Sequence, residues 1–427
     1  MRIKAETLRV WVMALLLGLL IGANNLVKIL RDSLFLGHHE VAELPYLYIL
    51  VAIIAGVIIA TYTKYTALTS IIRLILTTNV VILSIVIIFW VLLTYFDSGW
   101  SHYAFYIWSA MATVIAVAQA WILANHIFTP EEGRRSFGLI TAGGTTGGVV
   151  ASFGAKWSIY FSMENNHLLW VVAGIYLVAS MLVIWAESQL KDKGFEGATT
   201  NTEMSEKAYT GGISELLSGS TYLKSIGVVI LVSVIVSTLI DFQFKTGVKQ
   251  TYPSTRDLAG FFSSYYGWLN VATLFVQLLL TGKILSKLGL ASSLNIAPSA
   301  LLTGSVAIML WPGLVTATVT RMADAILRNS IHRSGMEIIY MAVPASIVKA
   351  VKTFLDVVVE RAGDASAGFI ILLFSLFSSG RYIEYVHLIC VGLIVAWLAG
   401  NRFLQARCPA ALRKGVVLDR TSWRECD

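Results

Sequence analysis

Apolar residues in this chain come in long unbroken runs, not in the alternating or one-faced patterns of water-facing elements. A helix that crosses a bilayer needs about 20 mostly apolar residues. Twelve stretches qualify: 8–30, 44–63, 72–95, 103–127, 136–160, 167–186, 225–245, 258–285, 290–311, 314–341, 347–376 and 384–404. Their length predicts helices, because membrane-barrel strands are about 10 residues long and alternate in polarity. One long polar stretch, 187–222, separates six runs from six. The expected organisation is an N-terminal six-helix half over 1–186, a cytoplasmic linker over 187–222, a C-terminal half over 223–404 and a cytoplasmic tail over 405–427.

Composition strengthens this reading. Hydrophobic residues make up 56% of the 427 and charged residues 13%, against about 25% charged in a soluble domain. Mean hydropathy is +0.73. So few charges cannot cover a water-facing surface, which points to an all-α integral membrane protein. Two six-helix halves are the plan of the major facilitator fold. The opening MRIKAETLRVWVMALLLGLL has a basic start and an apolar continuation but no small-residue cleavage site, so it reads as helix 1.

The net charge of +7 is sorted along the chain. Arg2, Lys4, Arg9, Lys64, Arg134, Arg135, Lys191, Lys193, Lys207, Lys283, Lys287 and the tail from Arg402 to Arg424 fall on one side of the expected topology. The opposite loops GHHEVAE (37–43) and DSGWSH (97–102) have no Lys or Arg. That is the positive-inside pattern, and it predicts both termini in the cytoplasm of a bacterial inner membrane. The surplus charge thus reads as topology, and no nucleic-acid partner is expected.

Other chemistry is sparse. Cys390, Cys408 and Cys426 are too few and too scattered for a disulfide framework or a zinc site. No H-E-x-x-H and no nucleophile elbow occur, so neither an enzyme nor a cofactor is expected. Linker and tail are too short to encode an ATPase motor. TAGGTTGG (141–148) superficially suggests a phosphate loop but lacks the G-x-x-x-x-G-K-[ST] pattern. Small residues in a membrane span instead let two helix backbones approach closely.

The candidate chemistry lies in charges inside the runs. An ionisable residue at the centre of a span costs about 2.5–3.5 kcal/mol on insertion scales, and it usually faces the bundle interior. Residues three or four apart share a helix face. On helix 1, Asn24, Lys28, Arg31 and Asp32 form one stripe, although Lys28 and Arg31 also sit where a side chain can snorkel to the outer surface. On helix 10, Arg321, Asp324, Arg328 and His332 follow at spacings of 3, 4 and 4. Helix 11 carries Lys349, Lys352, Asp356 and Glu360, with Lys352 and Asp356 placed to pair. Helix 7 ends with Asp241 and Lys245 four apart, suited to a gate salt bridge or a ligand contact.

Other polar positions have plainer readings. Glu131, Glu132, Arg134 and Arg135 read as surface or gate charges, and His126 as a hydrogen-bonded helix-end histidine. Tyr265 and Tyr266 on helix 8 read as interfacial aromatics that could also stack on a base or sugar. Lys28, Arg31, Asp32, Arg321, Arg328 and Lys352 are therefore the candidate substrate contacts. Asp241, Lys245, Asp324, Asp356 and Glu360 are the candidate gating or coupling groups. Guanidinium and ammonium groups favour a small substrate bearing phosphate or carboxylate. Lipid is the other expected partner, and a monomer suffices.

Three stretches resemble the ATP/ADP translocase family of plastids and obligate intracellular bacteria, a nucleotide-transporter branch of the major facilitator superfamily. They are ILRDSLFL (29–36), ANHIFTPEEGRRSFGLITAGGTTGG (124–148) and KTFLDVVVERAGDASAG (352–368). The resemblance implies exchange of ATP for ADP, or proton-linked nucleotide import, by alternating access. It places the family's Lys-Asp pair of helix 1 on Arg31 and Asp32, and its Lys-x-x-x-Asp of helix 11 on Lys352 and Asp356. Two departures bear on substrate. Arginine stands at 31 where the exchangers have lysine, and the family's glycine-lysine-serine reads Gly363-Asp364-Ala365. Three functions stay open on this reading: transport of a nucleotide or related phosphorylated anion; transport of another organic anion or an amphipathic lipid-linked molecule; and a non-transporting membrane scaffold or sensor.

Overall fold

A computed structural model describes residues 2–66, 70–96, 98–161, 164–191, 220–280, 292–332, 354–377 and 382–407, together with 283–284, 287, 335–336, 339–340, 348 and 351–352. Most of the expected linker and tail, the start of the expected eleventh span and Lys349 lie outside these residues. Among the described residues there are twelve α-helices and no strand. They are α1 (Arg2–His38), α2 (Leu44–Thr66), α3 (Ile71–Tyr95), α4 (Gly99–Ile127), α5 (Pro130–Tyr160), α6 (Leu168–Lys191), α7 (Thr221–Thr251), α8 (Thr255–Phe275), α9 (Ile296–Leu310), α10 (Leu314–Leu327), α11 (Glu360–Phe377) and α12 (Tyr382–Arg407). The protein is an all-α integral membrane protein.

Seven described helical segments are long and apolar enough to cross a bilayer: Thr7–His38, Val41–Ile58, Ile71–Tyr95, Gly99–Ile127, Asn165–Trp185, Thr221–Thr251 and Tyr382–Gln405. The glycine- and threonine-rich α5 and the charged α10 and α11 fall outside this group. Apolar side chains such as Ile53, Val57, Ile88, Met181, Leu388 and Val395 stay exposed, as bilayer contact requires.

Two features of the helices matter for the chemistry. The charged segment of helix 1 is not at its end. α1 continues unbroken to His38, so Arg31 and Asp32 sit inside the helix. In the C-terminal part, π-helical turns occur at Val276–Leu280, Arg328–His332 and Phe354–Val359. A π turn widens the helix by one residue and re-aims the side chains that follow.

Contacts group the chain into two units. The first comprises Met1–Glu40, Val57–Glu203 and Tyr252–Leu274; the second comprises Val41–Gly56, Met204–Thr251 and Phe275–Asp427. In the first, α1 packs on α4, α5 and α6, and α3 on α4 and α6. The α1–α5 contact depends on TAGGTTGG. Gly147 lies directly against the Gly18 backbone, and a Cβ on Gly18 would come within 2.9 Å of the Gly143 carbonyl oxygen. Larger residues at either face would force the helices apart.

The start of α5 shows how local chemistry sets an element. Thr129 caps it with its side chain, and the Glu132 carboxylate returns a hydrogen bond to the Thr129 N–H at 3.0 Å. This reciprocal pair, followed by Pro130 in the first turn, is a strong helix-start signal. Glu132 also meets Arg9 of α1 at 3.0 Å. The Thr129 N–H, and then the Arg9 charge, hold the Glu132 carboxyl below its ordinary range.

α8 belongs to the first unit although α7 precedes it in the chain. Phe153 of α5 meets Trp268 edge-on, and Arg256 donates to the Ile159 carbonyl at 2.9 Å. In the second unit, α7 packs on α10, α11 and α12, and α9 on α10 and α12. Gly363 sits against Val234 and the Leu231 carbonyl of α7, which brings α11 close.

Candidate functional site

In the first unit, the polar stripe of α1 faces protein. Asp32 is 1% exposed, and Arg31 and Lys28 are half-buried. The Arg31 guanidinium grips Asp32 through two hydrogen bonds, of 2.8 and 3.0 Å. It lies over the Tyr106 ring of α4, 4.6 Å from its centre. Tyr266 of α8 donates its hydroxyl at 2.8 Å to Asp32 Oδ2, which Arg31 also contacts. One turn inward, Asn24 donates to the Thr113 carbonyl of α4 at 3.3 Å. Tyr266, read from sequence as an interfacial aromatic, is thus a direct partner of the stripe. Aromatic enrichment alone gave no signal for that, because the contact joins helices 234 residues apart.

The second unit holds a larger network. Asp324 of α10 is 2% exposed. It accepts hydrogen bonds from Arg321 (2.5 Å), Arg328 (3.4 Å) and Ser237 of α7 (2.5 Å). Arg321 also reaches Asp241 of α7 at 3.1 Å. Asp241 is shared further: Lys245 meets it at 2.9 Å and the Tyr48 hydroxyl donates to it at 2.9 Å. The helix 7 and helix 10 candidates therefore form one chain of alternating charge within this unit. A buried charge needs such partners, since an isolated one costs far more than it returns.

His332 ends the stripe in a π turn. The π turn over Arg328–His332 carries it against Trp397 of α12, with ring centres 5.5 Å apart. The helical spacing read from sequence assumed a regular turn there.

On helix 11, Tyr340 joins the two candidates. Its hydroxyl donates to Asp356 at 2.6 Å, and its ring lies 5.5 Å from the Lys352 ammonium. Glu360 stands 3.8 Å from Arg361. Arg361 makes its closer contact, 2.8 Å, with Asp364, which also accepts from Thr238 of α7 at 2.8 Å. Arg361, Asp364, Thr238 and Ser237 were not singled out from sequence as site candidates. Arg361 and Asp364 were visible as charges in a span, whereas the two hydroxyl residues carried no signal.

A cavity of about 770 Å³ lies between α1, α5 and α6, lined by residues such as Trp11, Leu15, Gly18, Val150 and Ile175. None of its lining residues is charged, so it is not where the ionic chemistry sits. Among the described residues no group of three or more His, Cys, Asp or Glu is arranged to hold a metal ion.

Helices of spanning length mark an integral membrane protein, and solved structures share its fold. The chain matches the nucleoside transporter NupG with a TM-score of 0.66 at 13% identity, over 93% of this chain and 99% of that one. It matches a D-xylose-proton symporter with a TM-score of 0.63 at 12% identity, over 95% and 98%. This is the major facilitator fold. Residues 90–407 match the model of the TLC ATP/ADP transporter family, and the chain belongs to that family. Curated relatives include ADP,ATP carrier protein 1, chloroplastic, of Arabidopsis thaliana. It is 22% identical over 348 residues, covering 72% of this chain and 54% of the relative. Another is ADP,ATP carrier protein 1 of Chlamydia pneumoniae, 22% identical over 344 residues, covering 70% of this chain and 66% of the relative. The chain thus spans between about half and two thirds of the length of these relatives.

Proposed function

We propose that the protein is a secondary transporter that moves a nucleotide or related phosphorylated anion by alternating access, through exchange. The observation that carries this is membership of the TLC ATP/ADP transporter family over residues 90–407. The half-buried guanidinium groups of Arg31, Arg321 and Arg328 support it, because arginine matches phosphate oxygens bidentately. On this reading Lys28, Arg31, Asp32, Arg321, Arg328 and Lys352 contact substrate. Asp241, Lys245, Asp324, Asp356 and Glu360 exchange partners as the protein opens to either side. The protein does no covalent chemistry, works as a monomer in the bacterial inner membrane, and keeps both termini cytoplasmic.

The test is counterflow. Purified protein is reconstituted into liposomes preloaded with unlabelled nucleotide, and uptake of labelled nucleotide is followed. Saturable uptake that depends on the internal load is expected, and Arg31→Ala and Lys352→Ala should each reduce it at least about tenfold, the cost of a lost charge-assisted hydrogen bond. Full activity in both variants would remove these residues from the site. No uptake of any phosphorylated compound by folded protein would overturn the reading.

A further inference from the structure

We infer that the apolar cavity between α1, α5 and α6 binds an anionic phospholipid, with one acyl chain lying along it and the headgroup phosphate at Arg135. All three helices belong to the first unit. The inference does not depend on what the protein transports.

The cavity is shaped and lined for hydrocarbon. Its volume of about 770 Å³ falls within the range of ligand sites, about 300–1,000 Å³. Along α5 its lining runs from Leu139 to Ser158, a rise of about 28 Å. That is close to the thickness of a bilayer's hydrocarbon core, about 30 Å. The flanking helices α1 and α6 each hold a segment of spanning length, so the groove runs the way lipid chains run. Trp11, Leu15, Val150 and Val171 line it and stay exposed, so it opens outward. On a membrane span, an outward apolar surface meets acyl chains. Thr146 and Ser158 carry the only hydroxyls among its described lining residues, and both turn to their own helix. Thr146 donates to the Ala142 carbonyl at 2.8 Å, and Ser158 to the Gly154 carbonyl at 3.2 Å. A ligand that needs hydrogen bonds along its length is poorly served there, whereas an alkyl chain needs none.

One end of the groove is basic. Arg135 precedes Leu139 by one turn, on the face of α5 that carries Leu139, Ala142, Thr146 and Val150, and it is exposed. Trp11 stands at the same end, because Ala14, one turn further along α1, packs against Gly143, one turn past Leu139. Tryptophan favours the headgroup level of a bilayer. The neighbouring cation Arg9 is held by Glu132 at 3.0 Å, whereas among the described residues no carboxylate pairs with Arg135. Glu131 lies one turn farther out, so the favourable place for a phosphate is the Leu139 side of Arg135. A guanidinium there donates to the phosphate oxygens, and net negative charge on the headgroup adds to the attraction. The occupant is thus an anionic phospholipid from the leaflet that holds the α5 N-terminus.

The experiment offers the purified protein palmitoyl-oleoyl phosphatidylglycerol and palmitoyl-oleoyl phosphatidylcholine at equal concentration, and reads retained lipid by native mass spectrometry. The two lipids share chains and phosphate and differ in net charge. Wild type should retain one phosphatidylglycerol with a preference of about fivefold, the factor that one basic residue supplies towards an anionic headgroup. Arg135→Gln should abolish the preference. Thr146→Trp and Val150→Trp, made separately at exposed lining positions, should each fill the groove and lose the lipid while keeping the thermal transition. Two fillers are used so that loss of fold in one leaves the other to decide.

Equal retention of both lipids by wild type, or a preference that survives Arg135→Gln, would overturn the inference. Retention by a folded filler variant equal to wild type would place the lipid elsewhere and overturn the site, as would wild type that retains no lipid. A dimer mass in place of the lipid adduct, lost in the filler variants, would make this face a contact between two copies of the chain and overturn the lipid reading.

Discussion

Asp324 is the residue on which the second unit's network turns. It is 2% exposed and accepts from Arg321, Arg328 and Ser237 at once. Its removal takes the shared counter-charge from two half-buried guanidinium groups, of which Arg321 keeps Asp241. Removing one partner of a buried pair costs about 3–5 kcal/mol. Asp324→Asn should therefore lower the thermal transition of the detergent-solubilised protein markedly, as followed by circular dichroism. An unchanged transition would mean that water or another carboxylate takes over. The Arg31–Asp32–Tyr266 group of the first unit is smaller but similar: one acid, one guanidinium in a two-point grip, and one phenol completing the shell. In both groups the ionisable residues were legible as charges within apolar runs. Their neutral partners were not, because a serine, threonine or tyrosine in a span is unremarkable until a charge is seen beside it.

The helices show where periodicity holds and where it fails. Along α1 the spacing of Asn24, Arg31 and Asp32 places them on the sides facing α4 and α8, as a regular helix requires. From Arg328 the helix takes a π turn, and His332 packs against Trp397. Nothing in RNSIH announces the turn, since its stability depends on what packs around it. The α1–α5 contact is the opposite case, written in TAGGTTGG and in Gly18 and Gly22 opposite. Gly147 touches the Gly18 backbone itself, so a side chain there has nowhere to go. Gly147→Leu should separate the two helices and abolish the monodisperse peak in size-exclusion chromatography, whereas Gly174→Ala, where a Cβ meets nothing within 4 Å, should leave it unchanged. A folded Gly147→Leu protein would show that the contact adapts.

For the whole molecule, the distribution of Lys and Arg predicts both termini on the cytoplasmic side. Green fluorescent protein fused after Asp427 should fluoresce in intact bacteria, and alkaline phosphatase at the same point should stay inactive. The reverse result would invert the topology and exchange the inner and outer ends of every stripe.

Membership of the bilayer, the helical class and the list of charges inside the spans were determined by sequence alone. The reason is that hydrophobic transfer into lipid acts run by run, over about 20 consecutive residues, and needs no knowledge of neighbours. Which partners each carboxylate gains from other helices was decided by tertiary structure. Tyr266 reaches Asp32 across 234 residues, and Tyr48 reaches Asp241 across 193. Such contacts form only once helices distant in the chain have packed, unlike Lys245–Asp241 and Arg361–Asp364, which lie three or four residues apart on one helix. Whether a buried charge is neutralised or offered to a substrate is therefore a property of helix contacts, which no local pattern encodes.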